Sequence, residues 1–244
     1  MKLRWCLRTH WLGEMAQYDE NSELPADFSG RVRLFPLPNL VMFPHAIQPL
    51  HVFEPRYVAM LEDAMEKDQL LAMALLKPGW ESEYDERPAV FPAICIGRIV
   101  AQTRLPDGTH NLVLRGLCRA AIEHELPPEH AYRMADVTVM NEQSPTSLEQ
   151  QTELRQTLMR RFERQLSDMA SGQEQLAQLL DVRLPVGILT DVIAFSLDLA
   201  TLLKQEFLSE PDAGVRAQRL IEVWDEVADP RQPGPTFPPR FSDN

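Results

Sequence analysis

The sequence predicts an α+β protein: a small β-barrel-like domain with one packed helix, followed by a C-terminal α-helical bundle. Three observations predict it. Ile94 to Arg104 and Thr109 to Glu123 are β-branched, partly alternating runs on either side of Pro106-Asp107-Gly108, the strongest hairpin signal in the chain. From Ser144 onward the apolar period changes from two to about 3.6 residues, which marks a boundary between subdomains. Between Arg31 and Tyr57 a stretch rich in β-formers is cut by Pro36, Pro38, Pro44, Pro49 and Pro55. Each proline removes a backbone donor and fixes φ, so no regular central strand holds that many.

The elements follow in order. Residues 1–30 read as a flexible arm, because Asp19 to Gly30 is polar with little periodicity. The start is basic and carries Trp5 and Trp11 ahead of an acidic stretch, so translation is expected to begin at Met15. The barrel domain is assigned to 31–142. Its opening reads as two short strands, Val32 to Leu37 and Ile47 to Phe53, joined by an apolar crossover carrying Leu40, Val41, Met42 and Phe43. Glu54-Pro55 opens a helix, since proline is favoured in the first turn. Tyr57, Val58, Leu61, Ala64 and Met65 then recur at helical spacing up to Lys67.

Leu70 to Leu76 is a short apolar run stopped by Lys77-Pro78-Gly79, which favours a buried strand, and Trp80 to Pro88 reads as a loop. Gly97 and Gly116 lie inside the hairpin runs, where a missing side chain marks a bulge or a close approach of backbones. Ala131 to Met140 supplies one more strand. In the bundle, assigned to 143–228, Thr146-Ser147-Leu148-Glu149-Gln150 offers overlapping capping boxes. Leu154, Leu158, Phe162 and Leu166 then repeat every four residues. Gln173 to Leu180, Pro185 to Leu197, Leu199 to Leu208 and Ala213 to Ala228 read as further helices. Residues 229–244 hold five prolines and read as an extended, mobile tail.

Several words in this order resemble the Lon-type N-terminal domain, the substrate-binding module that precedes the ATPase and peptidase parts of Lon proteases. They are Leu34-Phe35-Pro36-Leu37, Val41-Met42-Phe43-Pro44 and Phe53-Glu54-Pro55-Arg56-Tyr57. Ile96-Gly97-Arg98-Ile99, Leu105-Pro106-Asp107-Gly108-Thr109 and Leu114-Arg115-Gly116-Leu117 extend the resemblance through the hairpin, and Lys204-Gln205-Glu206 with Glu210-Pro211-Asp212 carry it to about Val227. Each word alone is weak; together they are specific. The resemblance implies a barrel similar to the pseudouridine-synthase-and-archaeosine-transglycosylase (PUA) class and a role in binding polypeptides. It does not import hydrolysis, because no Gly-x-x-x-x-Gly-Lys-Ser/Thr phosphate loop occurs in the sequence.

Composition narrows the function classes. The 244 residues are 44% apolar, ample for a buried core, and carry a formal net charge of -12. That potential repels phosphate backbones, which disfavours RNA or DNA as a partner. Cys6, Cys95 and Cys118 are too few and too widely spaced for a disulfide framework or a zinc knuckle, and the cytoplasm is the expected compartment. Cys95 and Cys118 lie near each other across the hairpin if Arg104 pairs with Thr109, and a loop one residue shorter offsets them. No apolar run is long enough for a membrane span.

Catalytic chemistry is sparse. His51 and Glu54 stand three apart and would be the centre of a metal-dependent hydrolase, the first rival reading, but Pro55 puts them at a strand-to-helix junction. Glu54 is better explained as an acid at a helix N-terminus, and His45 as a turn or rim residue. The remaining histidines have no companion acid and nucleophile at useful spacing. No catalytic residue, metal or cofactor is therefore assigned. The second rival is an RNA-binding PUA-like module. The preferred reading is non-catalytic recognition of exposed hydrophobic polypeptide segments, with Leu40, Val41, Met42, Phe43, Pro44 and Phe53 as candidate binding residues and unfolded polypeptides, a protease or a chaperone as partners.

Overall fold

The computed structural model describes residues 23–83, 86–144, 147–167, 184–227 and 242–243. The expected helix at Gln173 to Leu180, the proposed start at Met15 and most of the arm and tail lie outside these residues. The strands are β1 (Arg31–Leu37), β2 (Ile47–Val52), β3 (Leu70–Leu75), β4 (Ala93–Arg104), β5 (His110–Glu125), β6 (Arg133–Val139) and the two-residue β7 (Ser242–Asp243). The helices are α1 (Pro55–Glu66), α2 (Leu148–Ser167), α3 (Val186–Ser196), α4 (Thr201–Ser209) and α5 (Ala213–Val227). A 3-10 turn at Trp80–Glu83 occupies part of the segment expected as a loop.

The strand order is β4-β3-β1-β6-β5-β2-β7, and a further β4–β5 pairing returns the ladder to its start. The pairings thus close a ring of β1, β3, β4, β5 and β6, with β2 attached outside it to the first half of β5. Side-chain alternation explains why the ring forms. Val32 and Leu34 of β1, Leu70, Ala72 and Ala74 of β3, Ile94 and Ile96 of β4, Leu117 and Ala120 of β5, and Ala135 and Val137 of β6 all enter one apolar cluster. Those residues come from every ring strand and none from β2.

The alternate residues, Phe35, Leu37, Leu71, Met73, Leu75, Cys95 and Ile99, join a second cluster with α1, the crossover and the four later helices. That is why β3 is apolar at all six positions: both of its faces are covered. The helices meet one another in the same cluster, where Phe162 of α2 packs edge-on to Trp224 of α5 with ring centroids 6.3 Å apart. The apolar core is therefore continuous from the strands into the helices. Two details differ from the helical pattern expected for α1: Met60 is buried, whereas Met65 is 38% exposed.

The hairpin register has two irregularities. Arg104 pairs with His110, one residue beyond the expected partner, and the register shifts between Ile99 and Ala101 and again between Ile96 and Gly97. Cys118 consequently opposes Ile96, and Cys95 opposes Arg119. The bulge at Val100 also accounts for its exposure.

Candidate functional site

The sequence pattern predicts the binding surface at the crossover. Val41, Met42, Phe43 and Pro44 are all buried, with Met42 and Phe43 at 0% exposure. They are corrected from candidate surface to core. The physical reason is the glycine pair Gly97 and Gly116, which oppose each other across β4 and β5. A β-carbon on Gly116 would fall 2.1 Å from the Phe43 carbonyl oxygen, and one on Gly97 would fall 3.3 Å from Met42 Cε. The two absent side chains form the seat on which the crossover packs. Two bonds hold it there: His45 N–H to the Gly116 carbonyl (2.8 Å) and Gly116 N–H to the Ala46 carbonyl (2.9 Å). His45 takes a positive φ of 65° at this corner.

Seating the crossover delivers β2 to the outside of the ring. The Gly116 to Ala46 bond makes Ile47 and Arg115 a non-hydrogen-bonded pair. Alternation along an antiparallel ladder then turns the backbone groups of Gln48, Leu50 and Val52 toward β5 and those of Ile47, Pro49 and His51 away from it. Pro49 fits this phase, since its missing N–H falls on the side where no ring strand pairs. Its carbonyl accepts a bond from Gln48 Nε2 at 2.8 Å.

Side chains alternate as well. Gln48, Leu50 and Val52 are buried, whereas Ile47, Pro49 and His51 are half-buried and Phe53 is 47% exposed. Residues directly opposite on a sheet share a face. The half-exposed face of β2 therefore continues onto β5 through Arg115, Val113 and Asn111, and onto β4 through Arg98, Ala101 and Thr103. The result is a three-stranded surface with Ile47, Pro49, Val113, Ala101 and Phe53 as its apolar part, rimmed by Arg98 and Arg115 at one end. His51 ties it together: its Nδ1 lies 2.8 Å from Asn111 Oδ1, and its ring stacks on Phe53 at 6.0 Å between centroids. Leu40 is partly buried against the core.

His51 and Glu54 do not form a joint site. Glu54 stands at the N-cap position of α1 and its carboxylate pairs with Arg56 at 2.8 Å, while the His51 ring engages Asn111. Among the described residues no group of three or more His, Cys, Asp or Glu is placed to hold a metal ion.

Behind the site a buried charge cluster joins strands to helices. Arg119 of β5, 3% exposed, donates two bonds to the Asp191 carboxylate of α3 at 2.6 and 2.8 Å, and Asp191 is itself 1% exposed. Arg119 Nε also reaches the Leu208 carbonyl of α4 at 3.2 Å. Arg216 of α5, fully buried, approaches Asp191 at 3.3 Å and Glu142 at 2.5 Å. The Glu142 carboxylate lies over Gly187 in the first turn of α3, where the helix dipole favours negative charge. Burial holds the pKa of His45 below the usual histidine value, against the pull of Asp191 and Glu142 and together with the Arg119 charge. Sequence reading missed this cluster; its members come from four separate segments, and no local pattern connects them. Pro49, in contrast, obeys a local rule, since proline within a sheet is confined to edge strands and bulges.

The fold defined by the ring, the appended β2 and the helices is that of solved Lon N-terminal domains. It superposes on the N-terminal domain of the Mycobacterium avium complex Lon protease with a TM-score of 0.63 and 18% identity, covering 81% of this chain and 99% of that one. For the Lon N-terminal domain protein from Xanthomonas campestris the TM-score is 0.54 at 22% identity, covering 79% and 97%. A profile of the ATP-dependent protease La (LON) substrate-binding domain matches residues 31–225. The chain belongs to that family.

Full-length relatives include a Lon protease of Brevibacillus choshinensis, 30% identical over 192 residues, which make up 78% of this chain and 24% of that protein. Lon protease 2 of Desulfotalea psychrophila is 29% identical over 193 residues, again 78% and 24%. The chain thus spans about a quarter of the length of these relatives.

Proposed function

We propose that this protein recognises exposed hydrophobic segments of polypeptides without hydrolysing them, as a substrate-binding or adaptor module of PUA-like architecture. The observation that carries this reading is the three-stranded face with Phe53 at its exposed end. An apolar patch bordered by polar edges suits a partner that offers apolar side chains and unpaired backbone together. Membership of a substrate-binding-domain family supports it. In the proposal, residues 31–142 form the binding domain, and residues 143–228 a helical bundle that braces it through Arg119 and Asp191. Partners are unfolded polypeptides, with a protease or chaperone acting downstream. A cytoplasmic setting suits the free thiols of Cys95 and Cys118.

The test is capture of reduced, carboxymethylated α-lactalbumin by the purified chain, with photo-crosslinks mapped on both proteins. Crosslinks should concentrate on β2, β5 and Phe53, and added salt should barely weaken capture, because screening acts on charges and not on apolar contact. Crosslinks confined to the helices, or capture abolished by moderate salt, would rule the proposal out.

A further inference from the structure

The outer edge of β2 is not empty. Ser242 and Asp243 lie on it as β7, parallel to β2, with Leu50 opposite Ser242 and His51 opposite Asp243. These two residues belong to the stretch 229–244 expected as a tail, whose other residues lie outside the described ones. Their pairing shows what the edge accepts. The groups that β2 turns outward are the N–H of Ile47 and His51 and the carbonyls of Ile47, Pro49 and His51, a short row for main-chain pairing in which the Pro49 carbonyl, already accepting from Gln48 Nε2, has its second lone pair left. None of these groups is used in the β5 ladder, so a strand can come or go without disturbing the ring.

The geometry points to β2 as a strand-addition edge. An extended client segment pairs with it in the parallel sense, and Ser242–Asp243 is a tethered occupant that the client must displace. This inference rests on the proposed function and specifies its mode. Three observations support it. The edge already carries a polypeptide strand. The outward phase of Pro49 leaves Ile47 and His51 as the two outward donors, with His51 opposite the present occupant, so that pairing uses main-chain groups and is tolerant of client sequence. Finally, the half-exposed side chains of Ile47, Pro49 and Phe53 lie beside the added strand, where alternate apolar side chains of a client would rest. A tethered segment competes at an effective concentration in roughly the millimolar range, so even a weak two-residue pairing lowers apparent affinity.

The experiment measures binding of a labelled peptide of alternating Val and Thr, and of the same peptide N-methylated at every second residue, to the full chain. The proposal expects the parent peptide to bind and one N-methylation phase to lose at least about tenfold, since ~1.4 kcal/mol is one decade. On the protein side, His51→Pro should lose binding to a similar extent, while His51→Ala, which removes the ring and keeps the N–H, should lose clearly less than His51→Pro. Both variants should keep their circular dichroism spectra. Removing residues 241–244 should tighten binding about threefold or more.

Equal binding of both N-methylated phases and the parent peptide would overturn strand addition while leaving recognition of apolar segments standing. Absence of binding by any peptide, together with failure to capture α-lactalbumin, would instead overturn the recognition reading itself. Unchanged affinity after the truncation would overturn the tethered occupant.

Discussion

The carbonyl oxygen of Phe43 occupies the space that a side chain on Gly116 would need: a β-carbon there would lie 2.1 Å from it. The obstacle is backbone, held by the His45 to Gly116 and Gly116 to Ala46 bonds, so it cannot rotate away. Gly116→Ala should therefore lift the crossover off the β4–β5 pair. We expect a loss of about 1–3 kcal/mol or more, in the range for overpacked cores, read as a lower urea midpoint. Gly108→Ala is the comparison: it has open space around it but a φ of 87°, so only the local turn strain is paid.

Asp191 is the second point on which the fold depends. Two buried guanidinium groups, Arg119 and Arg216, lean on its carboxylate at 2.6 and 3.3 Å. Asp191→Ala leaves both without that counter-charge and should cost about 3–5 kcal/mol, the usual penalty for breaking a buried pair from one side. The double variant Arg119→Met with Asp191→Leu should recover part of this loss. A double-mutant cycle by denaturant unfolding checks it; additive single losses would mean that the pair does not couple strands to helices.

These two relationships also show what the sequence could and could not disclose. Period-two and period-3.6 patterns placed the strands and helices closely, and Gly97 and Gly116 were readable as close-approach sites because strand glycines have few other uses. The direction in which the crossover faces was not readable. Leu40 to Pro44 has the same composition whether it plugs a core or coats a surface, and only the glycine seat decides. The hairpin register escaped because the turn pairs Arg104 with His110, one residue beyond the expected partner, and since the bulges at Val100 and Leu117 cancel, that offset carries through to Cys95 and Cys118. The pairing of Arg119 with Asp191 joins residues 72 positions apart, beyond any local signal.

Lys204 gives a pH-dependent prediction. Burial pushes its pKa down from 10.5 to about 8, with Asp198 opposing the shift, and its ammonium donates to the Phe195 carbonyl at 2.9 Å. The unfolded chain keeps this proton up to 10.5 whereas the folded one releases it near 8. Across that window the unfolded state binds more protons, so this group makes stability rise with pH. Below about pH 8 the cost of the buried charge is fully present. Lys204→Met should remove the dependence. Its stability relative to the parent should be greater at pH 7 by on the order of 1–2 kcal/mol and should converge by pH 10.5. A constant difference across thermal melts at both pH values would contradict the assignment.

The last prediction separates the two phenylalanines that the sequence places in one candidate site. Phe43 is wholly buried and Phe53 is 47% exposed. Phe43→Ser should behave as a core truncation, costing about 3–5 kcal/mol, and any loss of client capture should track the unfolded fraction. Phe53→Ser removes an apolar side chain that already meets water, so its melting curve should change little. If Phe53 is buried on binding, its truncation removes roughly 1.5–3 kcal/mol of contact before ordering costs. Capture of carboxymethylated α-lactalbumin should then weaken about tenfold, one decade for ~1.4 kcal/mol. His51→Ala offers a graded intermediate, because it removes the ring stacked on Phe53 and leaves the backbone edge intact. Native spectra with unchanged capture in Phe53→Ser would show that clients do not use this face.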